Sequence, residues 1–112
     1  MIIINQSRQT IIAKKIIIPK TILDQSLGLL KYKKPVEMLL RTRFGIHTFG
    51  MRYPIDVLIL DKQNRVVAIK ENLKPNTIFV WNIMYETILE LPPDTIKKTK
   101  TKVDDKLIFI TK

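Results

Sequence analysis

The single histidine of this chain lies in a segment that combines ionisable side chains with an apolar run. Residues 47–61 read His-Thr-Phe-Gly-Met-Arg-Tyr-Pro-Ile-Asp-Val-Leu-Ile-Leu-Asp. Asp56 precedes the all-apolar run 57–60, which is typical of a strand covered on both faces. A carboxylate at the start of such a strand destabilises the fold unless it is paired, and Arg52 and His47 are the nearby candidates. We therefore predict a polar cleft beside this strand in which His47, Arg52 and Asp56 bind a polar ligand.

The same residues support two other interpretations. In a purely structural one, Asp56 accepts hydrogen bonds from turn N–H groups or pairs with Arg52. In a more specific chemical interpretation, His47 binds a metal ion together with Asp56 and either Glu90 or Glu86. Zinc and iron sites of this kind normally use two or three histidines, and this chain has one His and no Cys. We therefore expect no metal and no other cofactor, and a metal-assisted hydrolase using His47 and Asp56 is kept as an alternative.

Aromatic and sulfur-containing side chains form a second group. Its members are Phe49, Met51, Tyr53, Phe79, Trp81 and Tyr85. Most of them are expected in the core, because large apolar side chains are usually buried. Trp81 is also suited to the mouth of a pocket, where its amphipathic ring would stack on a sugar or a base. We therefore add Trp81 to the predicted ligand-binding residues.

The chain carries a formal net charge of +10, from 20 Lys and Arg against 10 Asp and Glu. Fifteen of the cations are lysines and only four of the anions are glutamates, so the excess positive charge is not paired. A surface of this kind attracts polyanions through counterion release. The basic segments are 14–15, 31–34, 41–43 and 97–102, and no aromatic-basic signature of an RNA-binding sheet accompanies them. Non-specific association with nucleic acid is therefore the first alternative function.

The elements that must position these side chains are mostly short strands. β-Branched residues, which fit pleated sheets, are abundant, and strands are predicted at 1–4, 10–18, 36–40, 47–52, 55–60, 65–71, 77–81, 87–91 and 106–110. A hairpin turn is predicted at Asp61–Arg65, with Asn64 in the left-handed region. One short helix is predicted over Ile22–Leu29, and a helical turn over Thr95–Lys98 after Asp94. The 112 residues therefore predict a single mainly β domain, 1–112, built as an antiparallel sandwich or barrel.

Composition also excludes several classes of protein. Because the chain has no cysteine, disulfides, thiolate metal sites and a Cys nucleophile are all excluded. No apolar run approaches the roughly 18 residues that a transmembrane helix needs. Met1–Asn5 is too short for the apolar core of a secretory signal. We therefore expect a cytoplasmic protein that does not associate with a membrane.

Six short landmarks follow one another along the chain. They are Gly28-Leu-Leu30, Met38-Leu39, His47-Thr-Phe-Gly-Met51, Pro54-Ile-Asp56, Leu73-Lys-Pro75 and Ile88-Leu-Glu-Leu-Pro92. In their order and spacing the chain resembles the domain of unknown function 192 family. The resemblance implies a small β-sandwich of jelly-roll character with one short helix near the N-terminal third, and it implies no reaction. The chain departs from the family around the first landmark, where Asp24-Gln-Ser26 and Lys31-Tyr-Lys33 stand in place of the usual arginines.

These observations predict a non-enzymatic or accessory binding module with a polar cleft beside its central strands. The predicted ligand-binding residues are His47, Arg52, Asp56 and Trp81. The partner is expected to be a small polar ligand or another protein, and its identity does not follow from the sequence. The prediction requires the ionisable side chains to meet at one solvent-reachable hollow.

Overall fold

Strands make up most of the regular structure. The computed structural model describes residues 1–20 and 32–111. Its strands are β1 (Ile2–Asn5), β2 (Thr10–Ala13), β3 (Ile16–Ile17), β4 (Glu37–Arg41), β5 (Ile46–His47), β6 (Ile55–Leu60), β7 (Val66–Leu73), β8 (Ile78–Phe79), β9 (Thr87–Leu91) and β10 (Leu107–Ile110). In the described ranges, one short helix, α1 (Thr95–Thr99), lies between β9 and β10. None of the helices in these ranges has the length and apolar character of a membrane span. The predicted mainly β fold is confirmed, and the predicted helix Ile22–Leu29 lies outside the described residues.

A five-stranded sheet forms the centre of the fold, in the order β3-β4-β9-β6-β7. Its neighbouring strands are antiparallel, apart from the parallel pair β3–β4. A three-stranded sheet has the order β10-β1-β2, and β5 pairs with β8 in a two-stranded sheet. All six residues of β6 are buried, because β7 and β9 flank this strand and other elements cover both of its faces. The strand predicted at 55–60, with its apolar run covered on both faces, is therefore confirmed.

Side chains alternate across the central sheet, which therefore has two different faces. The first, called the α1 face, packs against β1, β2, β10 and α1 and carries Leu39, Leu58, Leu60, Leu89 and Leu91. The second, called the Glu90 face, carries Met38, Leu40, Val57, Ile59, Ile88 and Glu90. Residues of the two-stranded sheet and its loops cover the Glu90 face, among them Ile46, Tyr53, Phe79 and Trp81. Each fully buried large aliphatic side chain contributes about 1.5–3 kcal/mol, so packing on these two faces is the main source of stability.

The predicted strand 47–52 is mostly a turn, since β5 ends at His47. Thr48 is buried, and its carbonyl accepts a hydrogen bond from the N–H of Met51 at 3.1 Å. Gly50 has a φ of 82°, which a side chain would disfavour. A turn hydrogen bond and a left-handed residue are incompatible with an extended strand, so the chain changes direction here. The predicted strand 77–81 is also shorter than expected, since β8 is Ile78–Phe79.

A buried polar cluster joins the three-stranded sheet to the loop before β10. Asp105 Oδ2 accepts hydrogen bonds from Asn5 Nδ2 at 2.9 Å, from Arg8 Nε at 3.0 Å and from the N–H of Lys102 at 2.9 Å. Asn5 is fully buried and also donates to Thr101 Oγ1 at 3.1 Å. Burial by itself would raise the pKa of Asp105, but the hydrogen bonds from Arg8, Asn5 and Lys102 outweigh it and lower the pKa.

We expect Asp105→Asn to lower the free energy of unfolding at pH 7 by about 1–3 kcal/mol, because the amide replaces a charged acceptor of three hydrogen bonds. The folded-state pKa lies below the unfolded one, so this contribution is present at neutral pH and is lost as the pH falls through the folded pKa. Urea unfolding at pH 7 and at pH 3 measures both effects. The control is Asp104→Asn, at an exposed neighbouring position. Equal losses at pH 7 from the two substitutions would contradict the role of the cluster.

Candidate functional site

Asp56 connects three elements on the α1 face of the central sheet. It is fully buried in β6, opposite Leu91. Its Oδ1 accepts a hydrogen bond from the N–H of Asn72 at 2.9 Å, and its Oδ2 accepts one from the N–H of Ile96 at 2.8 Å. Ile96 lies in the first turn of α1, and Asp94, which precedes the helix, makes no side-chain capping bond. Asp56 therefore caps α1 from a distant strand, which fits the interpretation in which it accepts backbone hydrogen bonds.

His47 and Arg52 lie at the surface. His47 is exposed in β5, where it lies opposite Ile78. Its Nδ1 accepts a hydrogen bond from the N–H of Phe49 at 3.3 Å, and the rings of His47 and Phe49 stack with their centroids 5.3 Å apart. Arg52 is exposed in the turn before β6. Within residues 1–20 and 32–111, neither side chain makes a hydrogen bond or an ion pair with Asp56. The structure thus separates the residues that were expected to share one hollow, and the ligand roles of His47 and Arg52 stay predictions.

Trp81 is the predicted site residue that packs on the Glu90 face. It is half-buried against the aliphatic side chains of that face. Its Nε1 donates a hydrogen bond to the carbonyl of Tyr85 at 2.7 Å, and its ring is tilted against Phe79 with centroids 5.8 Å apart. Asp56 belongs to the opposite face, so the central sheet lies between Trp81 and the Asp56 carboxylate.

Glu90 is the charged side chain at the centre of the Glu90 face. It lies on β9 between Met38 of β4 and Val57 of β6, and it is 5% exposed. No residue of the described ranges hydrogen-bonds or ion-pairs with it. Burial raises the pKa of Glu90 to about 7.

Tyr53 lies close enough to Glu90 to be affected by its charge. The pKa of Tyr53 is raised, first by burial and then by the Glu90 carboxylate. Its hydroxyl donates to the carbonyl of Lys34 at 3.3 Å, which leaves the oxygen lone pairs as acceptors. A phenol and a buried carboxyl are therefore neighbours on a face that is otherwise mostly apolar.

The nearest basic residue in the same row of side chains is Lys70. It lies opposite Val57 on β7, and Val57 lies opposite Glu90 on β9. Strand spacing puts the Cα atoms of Lys70 and Glu90 about 10 Å apart. The Lys70 side chain is exposed and forms no ion pair with Glu90 among the described residues. Among the described residues, Glu90 therefore forms no ion pair that would compensate the charge of its ionised form.

The alternative of a metal-assisted hydrolase required His47 and Asp56 to lie at one place. Asp56 is buried with both oxygens bonded to backbone N–H groups, whereas His47 is exposed on the two-stranded sheet. Within the part of the chain that the structure describes, no three His, Cys, Asp or Glu side chains are grouped so that they could hold a metal ion. Glu90 is instead a single buried carboxyl among the apolar side chains of the Glu90 face.

The landmarks that contain Asp56 and Glu90 lie within a long segment that matches a family model. Residues 3–109 match the family model DUF192, which is described as Uncharacterized ACR. The chain belongs to the DUF192 family. The UPF0127 protein PH1112 of Pyrococcus horikoshii is 32% identical to this DUF192 member over 116 residues, which cover 97% of this chain and 99% of that protein. The resemblance found from the six landmarks is thereby confirmed.

Two solved structures share the fold of this DUF192 member. A protein of unknown function from Novosphingobium aromaticivorans has a TM-score of 0.80 and 16% identity, covering 96% of this chain and 82% of that one. A candidate transcription regulator from Sinorhizobium meliloti has a TM-score of 0.75 and 19% identity, covering 96% of this chain and 89% of that one. At these identities the likeness shows the fold alone. No reaction is named for any of these three similar proteins.

From the sequence, Glu90 was considered only as one of two glutamates that could join His47 and Asp56 in a metal site. A signal was nevertheless present, because Glu90 is a single charge between Leu89 and Leu91 in a strand that is otherwise apolar from Ile88 onward. Asp56 carries a similar signal at the start of β6. The two carboxylates have the same sequence pattern. Among the residues that the structure describes, Asp56 accepts two backbone hydrogen bonds and the Glu90 side chain accepts none.

Proposed function

We propose that this DUF192 member is a non-enzymatic binding module that holds a small ligand against the Glu90 face, with the Glu90 carboxyl as its polar anchor. The observation that carries the proposal is a 5% exposed carboxyl with no hydrogen-bond partner among the described residues. A buried polar group without a partner costs free energy, and a bound ligand that supplies a donor would recover it. Glu90 keeps an exposed fraction of 5%, through which a ligand can reach the carboxyl.

The chemistry of the surroundings favours an amine that carries an apolar or aromatic body. An ammonium group would donate to Glu90 and stabilise its ionised form, and no protein cation competes for that position among the described residues. Phe79 and Trp81 pack on the same face and can contact the body of the ligand. An ammonium group near their rings also gains cation–π attraction. Tyr53 adds a hydroxyl oxygen that can accept a second hydrogen bond from the ligand.

A set of small aromatic amines, each with the alcohol of the same shape, tests this proposal. We expect the amines to bind more tightly than their alcohols and to change the emission of Trp81, the single tryptophan of the chain. Glu90→Gln should weaken amine binding at least tenfold, because it removes the negative charge and keeps the shape. Fluorescence titration at pH 8 measures the affinities.

The matched control is Glu71→Gln, which makes the same change at an exposed position of β7. It should leave amine binding within about twofold of the unsubstituted protein, because an exposed charge at a distance is screened by salt. Equal weakening by both substitutions would indicate an unspecific charge effect. Equal binding of amines and alcohols would show that Glu90 does not recognise a cation. Either result would contradict the proposed site.

A further inference from the structure

A groove beside α1 is bordered by basic side chains. It has a volume of about 530 Å³ and is lined by Arg8, Ile69, Glu71, Ile96, Lys97, Lys100, Thr101, Lys102 and Val103. We call it the basic groove. Four of its lining residues are cations and one is a carboxylate, so the side chains that line it carry a formal charge of +3. Its floor includes Ile96, which is buried in the core.

The lysines of the basic groove form no ion pair with any residue that the structure describes. Lys97, Lys100 and Lys102 are exposed, and no side-chain hydrogen bond or ion pair holds them within residues 1–20 and 32–111. Arg8, by contrast, is paired with Asp105 at 3.0 Å. Unpaired like charges close together repel one another, and a bound polyanion relieves that repulsion.

The backbone that carries these lysines is held in place by hydrogen bonds. The N–H of Ile96 donates to Asp56, and the N–H of Thr101 donates to the carbonyl of Ile96 at 3.1 Å. The N–H of Lys102 donates to Asp105 at 2.9 Å, and Lys100 ends α1 in the left-handed conformation with φ 58°. Three cations are thus presented from a fixed segment, which limits the loss of backbone entropy on binding.

We propose that the basic groove binds the phosphate backbone of nucleic acid without sequence preference. Lysine ammonium groups contact phosphates as point charges, and such contacts position a protein without reading bases. The residues lining the groove include no aromatic ring, so base stacking is not the basis of recognition there. The net charge of +10 adds long-range attraction to the same partner. This inference is independent of the Glu90 site.

A fluorescein-labelled DNA duplex of 20 base pairs is the probe, and anisotropy titrations from 50 to 200 mM salt are the measurement. We expect binding at 50 mM salt that weakens steeply as salt is added. Replacing Lys97, Lys100 and Lys102 together by glutamine should lower the slope of log affinity against log salt by about 3 and weaken binding at least tenfold at 50 mM salt. A second duplex of unrelated sequence should give the same values.

The control is the triple substitution Lys33→Gln, Lys34→Gln and Lys74→Gln, which makes the same change in net charge at exposed positions outside the groove. It should weaken binding far less than the groove triple. Circular dichroism of both variants shows whether each keeps the fold. The proposal is overturned by equal losses in the two triples, by no binding at 50 mM salt, or by polyglutamate competing as well as DNA at equal charge.

Discussion

Asp56→Ala is expected to lower the free energy of unfolding by about 3–5 kcal/mol. The substitution leaves the N–H groups of Asn72 and Ile96 without the acceptors that lie 2.9 and 2.8 Å away in the folded protein. Leaving the buried N–H of Ile96 without an acceptor costs about 1–3 kcal/mol and removes the cap of α1, and the lost bond to the partly buried N–H of Asn72 adds to this. Urea unfolding, followed by circular dichroism and by Trp81 fluorescence, measures the change.

Two further variants make this prediction specific. Asp56→Asn keeps one acceptor oxygen, so its loss should fall between that of the alanine variant and zero. Asp94→Asn changes an exposed carboxylate that makes no side-chain capping bond and has φ 68°, a conformation that asparagine tolerates. We expect it to stay within about 0.5 kcal/mol of the unsubstituted protein. If Asp56→Ala were as mild as Asp94→Asn, Asp56 would not be the cross-link described above.

Glu90→Gln is expected to stabilise the protein at pH 8 by about 3 kcal/mol and to leave its stability nearly unchanged at pH 4.5. The pKa of Glu90 rises from 4.5 to about 7 on folding because the carboxyl is buried. An acid with a raised folded-state pKa holds its proton more tightly when folded, so its ionisation opposes folding. The free energy of unfolding of the unsubstituted protein should therefore fall as the pH rises from about 4.5 to 7, and that of the glutamine variant should not.

Urea unfolding of both proteins at several values between pH 4.5 and pH 8 measures the difference. Comparing the two proteins cancels other titrating groups, including Asp105, because they are common to both. Glu71→Gln is again the control, and its difference from the unsubstituted protein should not vary with pH in this range. A glutamine variant that is less stable than the unsubstituted protein at pH 8 would show that Glu90 has a stabilising partner.

The two predictions have opposite signs, and this contrast separates the roles of the carboxylates. Asp56 stabilises the fold through two backbone hydrogen bonds, one to each carboxylate oxygen, and its complete burial keeps a ligand away from it. Glu90 destabilises the folded protein when ionised, because its burial disfavours the charged form, and 5% of the residue is exposed. A buried carboxyl with a strongly raised pKa is a candidate for a functional site, in line with the proposal above.

Local patterns determined much of the fold in advance. The apolar run 57–60 predicted a strand covered on both faces, and β6 is buried along its whole length. The turn predicted at Asp61–Arg65 is confirmed, since Asp61 Oδ1 accepts hydrogen bonds from the N–H groups of Gln63 and Arg65, and Asn64 has φ 63°. These features depend on residues close together in the sequence, so a local reading was sufficient.

The prediction of a strand over 47–52 was wrong because of hydrogen bonds to residues outside that segment. The carbonyl of Thr48 accepts a hydrogen bond from the N–H of Asn76, and its hydroxyl donates to the carbonyl of Lys74 at 2.6 Å. Both partners lie more than twenty positions away, in the loop after β7. Contacts of this kind override a local preference for extended structure, and a single sequence does not reveal them.

The sequence by itself determined a mainly β chain of the DUF192 family with a strongly positive charge and two carboxylates set among apolar residues. Only the tertiary structure decided what each carboxylate does. In the pairing of β6 with β9, Asp56 lies opposite Leu91 and Val57 lies opposite Glu90. Successive side chains of a strand point to opposite faces, so this register sends Asp56 towards α1 and Glu90 to the other side of the sheet.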